Sequence, residues 1–128
     1  MTLPAVKRVY EAPAAGDGAR ILVDRLWPRG IAKDKARVDL WLKDIAPSHA
    51  LRQRFHGKAE SWDAFCAAYA TELAGAEAQS AVQALRDWLR RGPVTLLYAA
   101  RDEQRNNAVA LLLWLAQHED AEAGRRGI

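Results

Sequence analysis

Two short polar segments of this chain carry residue types that bind anions. The first, DRLWPRG at residues 24–30, places an acid, two arginines, a tryptophan, a proline and a glycine directly after apolar residues. The second, ARDEQRNN at residues 100–107, follows another apolar run. Guanidinium groups bind phosphate and carboxylate through paired hydrogen bonds, and asparagine amides both donate and accept. We therefore expect the two segments to contribute to one site for an anionic small molecule.

The candidate ligand-binding residues combine positive charge, an aromatic wall and amide groups. Arginines would bind the anion, asparagines would orient the ligand, and tryptophan would line the site. The candidates are Arg25, Trp27, Arg29, Arg101, Asn106 and Asn107. The structural alternative for the tryptophan, a cap on the hydrophobic core, is the more frequent arrangement.

Three further residues are candidates for proton transfer. Asp24 is a candidate general base, Tyr98 a candidate donor at a strand end, and His56 a titratable group between two predicted helices. Each has an alternative. Asp24 would also fit a structural salt bridge with a neighbouring arginine. Tyr98 would fit a buried position in which its hydroxyl has a hydrogen-bond partner, and His56 would fit a solvated loop. The residues do not decide whether the protein is an enzyme.

Strands and helices alternate along the chain, with helices in excess. Apolar runs predict strands at Val6–Tyr10, Arg20–Leu26 and Val94–Ala99. Apolar periodicity and caps predict a helix over at least part of Asp34–Ile45. They also predict helices at Ser48–Phe55, Ser61–Gly75, Glu77–Arg91 and Glu103–His118, the last capped by Asp102. The pattern indicates an α/β fold with one compact domain at residues 1–118 and a frayed tail at 119–128. We expect a small, mainly parallel sheet of three to four strands packed by about five helices.

The predicted topology brings the two polar segments together. Helices separate the second and third predicted strands, which allows these strands to be parallel and to end at the same edge of the sheet. Open α/β sheets bind ligands outside the carboxyl ends of their strands, and a helix that starts there offers free N–H groups. The first strand is joined to the second by a short helix-free connection, so this pair is expected to be antiparallel or not adjacent.

Composition narrows the class of protein. The 128 residues include one cysteine, Cys66, and three histidines without metal-ligand spacing, so no disulfide, metal or cofactor is predicted. No membrane-spanning run or secretory signal is visible, and the predicted compartment is the cytoplasm. The net charge of +3 leaves a nucleic-acid-binding module open as a less favoured alternative. A homodimer through the apolar Glu103–His118 helix is another.

The motifs resemble those of a known family. VDRLWPRG, APSHALRQRFHG and VTLLYAARD, with Asn107 just beyond, are similar to the YeaO-like proteins of domain-of-unknown-function family 488 over roughly residues 6–118. The resemblance implies a compact cytoplasmic bacterial α/β protein. Longer members of the wider family look like they carry a Cys-Ala-Glu motif and a Cys-His-Arg motif. In this chain, Tyr98 occupies the position of the first cysteine, and Asn106 and Asn107 occupy those of the Cys-His pair. Thiol chemistry is therefore not implied for this chain.

Overall fold

Four parallel strands form one sheet, with helices packed on it. The structure, a computed structural model, describes residues 3–56 and 61–126, without the side chains of residues 56 and 119–126. The strands are β1 (Ala5–Arg8), β2 (Ala19–Leu22), β3 (Leu40–Trp41) and β4 (Val94–Tyr98), in the spatial order β1-β4-β2-β3. The helices are α1 (Lys33–Ala36), α2 (His49–His56), α3 (Trp62–Ala74), α4 (Ala76–Arg91) and α5 (Asn107–Arg126). The predicted α/β class with a parallel sheet is confirmed.

The two central strands, β2 and β4, are buried on both faces. Ile21 and Leu96 pack on one face against the main cluster of α2, α3, α4 and α5. Leu22 and Leu97 pack on the other face, in a smaller cluster that includes Ala36 of α1. All four side chains are fully excluded from solvent. The continuous apolar runs of these strands follow from this position, because alternating residues face two apolar layers.

Strand β1 pairs with β4 and is not adjacent to β2. The pairing is parallel and places Arg8 beside Tyr98. One of the two arrangements expected for the first strand, non-adjacency to the second, is therefore confirmed. Because β1 runs parallel to β4, its carboxyl end lies at the same sheet edge as the carboxyl ends of β2 and β4.

The segment Asp34–Ile45, predicted to be helical at least in part, is helical only at its two ends. The segment forms the four-residue helix α1, strand β3 and a single 3₁₀ turn at Lys43–Ile45. Arg37 adopts a left-handed conformation with φ of 50° and ends α1. The backbone then pairs with β2, where the Leu42 N–H donates to the Leu22 carbonyl at 2.9 Å. Pairing with a sheet edge overrode a local apolar spacing that also fits a helix.

Helices α2, α3 and α4 lie close to their predicted bounds, whereas α5 does not. Ser61 caps α3 as expected, its hydroxyl accepting from the Ala64 N–H at 3.1 Å. Helix α5 starts at Asn107, four residues later than predicted, and its cap is Asn106 instead of Asp102. The helix continues to Arg126, and the side chains of the predicted tail, residues 119–128, lie outside the described part of the chain.

Helix α5 packs its apolar face into the core. Leu111 and Leu115 are buried, whereas Leu113 is 46% exposed. Within the described ranges, no helix has the length and apolar character needed to cross a membrane. Homodimerisation through this helix stays a prediction.

Candidate functional site at the carboxyl edge of the sheet

Asp24 connects the two polar segments at the sheet edge. It follows β2, and its Oδ2 accepts a hydrogen bond from the Ala99 N–H, just past β4, at 3.0 Å. Its Oδ1 accepts from the Asn107 side-chain amide at 2.9 Å, and the same amide donates to the Val23 carbonyl at 3.0 Å. The structure therefore brings DRLWPRG and ARDEQRNN into direct contact, as parallel pairing of β2 and β4 requires.

These contacts give Asp24 a structural function that mutation can measure. Replacing Asp24 with alanine leaves a half-buried N–H and an amide without their acceptor, and we expect the free energy of unfolding to fall by about 2 kcal/mol in urea denaturation. Asp102 is the matched control, because its exposed carboxylate also accepts two backbone N–H groups, from Gln104 and Arg105. Asp102→Ala should cost clearly less, since water replaces the lost acceptor at this exposed site. Equal losses would contradict the bracing role of Asp24.

The loop after Asp24 is fixed at several points. The Trp27 indole N–H donates to the Ile31 carbonyl at 2.8 Å, and its ring meets Trp41 edge-on with 5.5 Å between centroids. The Tyr10 hydroxyl donates to the Arg29 carbonyl at 2.7 Å. Gly30 has φ of 76°, a conformation that favours glycine. Trp27 thus packs on the smaller core cluster and also lines the cavity beside the loop.

A cavity of about 480 Å³ lies between the two segments. Its lining is strongly basic. Six arginines line it, namely Arg8, Arg25, Arg29, Arg52, Arg101 and Arg105. Among the lining residues, Asp24 carries the one carboxylate, and both of its oxygens accept hydrogen bonds from the protein.

The six arginines differ in their contacts with the rest of the protein. Arg8 and Arg25 are held by backbone carbonyls: Arg8 donates to Ala100 at 2.9 Å, and Arg25 to Ala46 at 3.1 Å and Pro47 at 3.2 Å. The guanidinium groups of Arg29, Arg52 and Arg101 make no hydrogen bond or ion pair with the residues that the structure describes. All three are exposed. Arg105 is also exposed, and its charge helps to lower the pKa of Asp102.

The segment after β4 is shaped by its own side chains. Backbone N–H groups of Arg105 and Gln104 bind the Asp102 carboxylate and hold its pKa below the usual range. Asn106 is 2% exposed; its Oδ1 accepts from the Val109 N–H, and its amide donates to the Asp102 carbonyl, both at 2.9 Å. Asn106 and Asn107 therefore line the cavity with amides that already serve the fold.

Of the candidates for proton transfer, Asp24 lines the cavity and Tyr98 lies away from it. Tyr98 is 3% exposed, points into the main core cluster and is absent from the cavity lining. Its burial raises the pKa of the hydroxyl above the usual range. His56 is the last residue of α2, and its side chain lies outside the described part. Of the three candidates, only Asp24 is seen at the cavity. Across residues 3–56 and 61–126, no cluster of three or more metal-binding side chains occurs.

Comparison with known proteins gives the family. A profile described as the inactive DUF488-N3 subclade matches residues 5–127. The chain belongs to this subclade. YeaO of Escherichia coli (strain K12), an uncharacterized protein, is 45% identical over 109 residues, which cover 85% of this chain and 93% of YeaO. Uncharacterized proteins of Mycobacterium bovis and Mycobacterium tuberculosis are each 43% identical over 106 residues, covering 83% of this chain and 87% of each relative. No solved structure matches the chain significantly.

Two arginines of this DUF488-N3 cavity lie outside the two polar segments that were predicted to form the site. Arg8 ends β1, and a parallel β1 beside β4 would have placed it at the sheet edge. Arg52 is one of many basic residues on helix surfaces, and no local signal distinguishes it from Arg54 on the same helix. The aromatic residues Phe55 and Phe65 also line the cavity. Their apolar spacing indicates only that they are buried.

Proposed function

We propose that this DUF488-N3 protein binds a phosphate- or carboxylate-bearing small molecule in the cavity at the carboxyl edge of the sheet. The observation that carries the proposal is the group of three arginines, Arg29, Arg52 and Arg101, without side-chain partners among the described residues. Arginines that only stabilise a fold are usually bound to carboxylates or carbonyls, as Arg8 and Arg25 are here. An anion in the cavity would accept hydrogen bonds from these three guanidinium groups.

Binding without catalysis fits the cavity better than an acid–base reaction. The oxygens of Asp24 accept hydrogen bonds from Ala99 and Asn107, so its carboxylate is bound before any ligand arrives. Tyr98 faces the core and not the cavity. The description of the matching subclade as inactive supports the same choice. The proposed activity is therefore recognition of an anionic ligand by arginine side chains, some of which a rigid loop holds in position.

A pair of arginine variants on one helix tests the proposal. Arg52 lines the cavity, and Arg54, two residues later on α2, does not. Isothermal titration with inorganic phosphate, sulfate and acetate in chloride buffer should show binding of at least one anion by the wild type. Arg52→Gln should weaken that binding about tenfold, the loss expected for one charge-assisted hydrogen bond. Arg54→Gln should leave it unchanged.

The same pair distinguishes the alternative nucleic-acid partner. A nucleic acid that binds along the helix surfaces would lose affinity in both variants, with a steep dependence on salt concentration. Equal losses for an oligonucleotide, together with no binding of the three small anions, would contradict the proposed cavity ligand. Binding of the small anions that only Arg52→Gln weakens would support it.

A further inference from the structure

One wall of the cavity is apolar and aromatic. Phe55 of α2 and Phe65 of α3 both line it, with their rings stacked at 4.4 Å between centroids and an interplanar angle of 27°. Phe65 is 2% exposed and belongs to the main core cluster, so the wall is anchored in the interior. Leu26 adds an apolar side chain that is 58% exposed at the cavity. Charge alone does not account for this part of the lining.

The size of the cavity also exceeds what an inorganic anion needs. About 480 Å³ lies within the range of pockets that enclose whole small molecules, whereas a phosphate ion alone would leave most of that space to water. Water in contact with the apolar wall contributes nothing to affinity. An apolar part of a ligand that displaces this water strengthens binding. The ligand therefore has a body beyond its charged group.

The positions of charge and ring on α2 constrain the shape of that ligand. Arg52 and Phe55 are three residues apart, so they lie on the same face of the helix, about 5–6 Å apart at their Cβ atoms. Both line the cavity. A ligand that contacts the two side chains together carries its anionic group within one helical turn of its apolar part.

We propose that the ligand is an organic anion in which a phosphate or carboxylate is attached to a planar aromatic group. The ring lies against Phe55, where aromatic stacking adds to the release of water, and the anion binds Arg52 together with Arg29 and Arg101, which line the same cavity. This inference rests on the proposed anion site and adds the chemical class of its ligand. Aryl phosphates, nucleoside monophosphates and aromatic carboxylates share this chemistry.

Matched pairs of small ligands test the ring. Isothermal titration would compare phenyl phosphate with inorganic phosphate, and benzoate with acetate, because each pair differs in the aromatic group. We expect the aromatic member of at least one pair to bind the wild type about tenfold more tightly. If adenosine monophosphate binds more tightly than phenyl phosphate, the ligand is a nucleoside monophosphate. If the advantage appears in the benzoate pair, the ligand is an aromatic carboxylate.

Two aromatic-to-leucine variants locate the effect. Phe55→Leu keeps an apolar side chain but removes the ring, and should abolish the advantage of phenyl phosphate over inorganic phosphate. Trp88→Leu is the control, since Trp88 is a half-buried aromatic on α4 that does not line the cavity. It should keep the advantage. Circular dichroism would check that both variants fold, and the wild-type comparison does not depend on them.

The outcomes separate this inference from the proposed function. Equal affinity for the aromatic and plain member of both pairs would overturn the aromatic ligand while keeping the anion site. A ring advantage that Phe55→Leu retains would also overturn it. Binding of none of these anions would remove the anion site, and the inference with it.

Discussion

Replacing Arg20 with methionine is expected to lower the free energy of unfolding by about 3 kcal/mol, because it breaks a buried ion pair from one side. Arg20 is 4% exposed, and its guanidinium Nη1 lies 2.6 Å from an Asp17 carboxylate oxygen. It also donates to the carbonyls of Ala36 at 2.9 Å and Arg37 at 3.1 Å. Urea denaturation at neutral pH measures the loss, which stays moderate because Lys7 still pairs with Asp17 at 3.2 Å.

A second substitution tests the reason for this loss. If the cost arises from an uncompensated Asp17 carboxylate, adding Asp17→Asn to Arg20→Met should recover part of the stability, since the charge is then removed. Additive losses in the double variant would show instead that the lost carbonyl contacts dominate.

The same ion pair predicts a dependence on pH. The Ala14 backbone N–H, with Arg20 and Lys7, lowers the pKa of Asp17 below its ordinary value of 3.8. Because the pKa of Asp17 is lower in the folded state, the ion pair contributes its full stability above the ordinary value of 3.8. That stability is lost as the pH falls through the pKa of the folded state. Below pH 3.8 the wild type should therefore lose stability more steeply than Arg20→Met. Parallel pH profiles would show that the Arg20 contact does not help to lower that pKa.

Gly18→Ala is expected to destabilise the protein by about 2–5 kcal/mol. Gly18 precedes β2 with φ of 64°, which L side chains rarely adopt. A Cβ there would lie 2.2 Å from the carbonyl oxygen of Pro93, the atom that accepts the Ala19 N–H at 3.0 Å. The backbone must shift, and the first contact between β2 and β4 is disturbed. Thermal unfolding should show a clearly lower Tm.

Gly30→Ala separates the effect of packing from that of backbone conformation. Gly30 has a similar φ of 76°, but a Cβ there meets no atom within 4 Å. The substitution should cost about 1–2 kcal/mol, the strain of the left-handed backbone alone. If the two variants lose the same stability, the approach of Pro93 to Gly18 is not what makes that glycine necessary.

The two ends of the sheet use arginine differently. At the amino end, Arg20 has a carboxylate and two carbonyl partners, and it is buried. At the carboxyl end, Arg29, Arg52 and Arg101 are exposed around a cavity and make no side-chain contact of this kind within the described ranges. Stability explains the first arrangement but not the second. This contrast is the physical basis for proposing ligand binding at the carboxyl edge.

The sequence by itself determined the central strands, most helices and the convergence of the two polar segments. Apolar runs marked β2 and β4, and Ser61 marked the start of α3, because these signals depend on neighbours along the chain. The pairing of β2 with β4 then required the segments after them to meet. A sequence can therefore predict a contact between distant segments when regular secondary structure transmits it.

Only the tertiary structure decided which individual side chains are available to a ligand. Arg25 and Arg29 belong to the same loop, yet only the Arg25 guanidinium donates hydrogen bonds to backbone carbonyls among the described residues, those of Ala46 and Pro47. Tyr98 faces the core because of its register in β4, and Arg8 reaches the site because β1 pairs with the far side of that strand. Leu40 and Trp41 form a strand and not a helix because they pair with β2 at the edge of the sheet. These outcomes depend on partners far along the chain, which local sequence patterns do not encode.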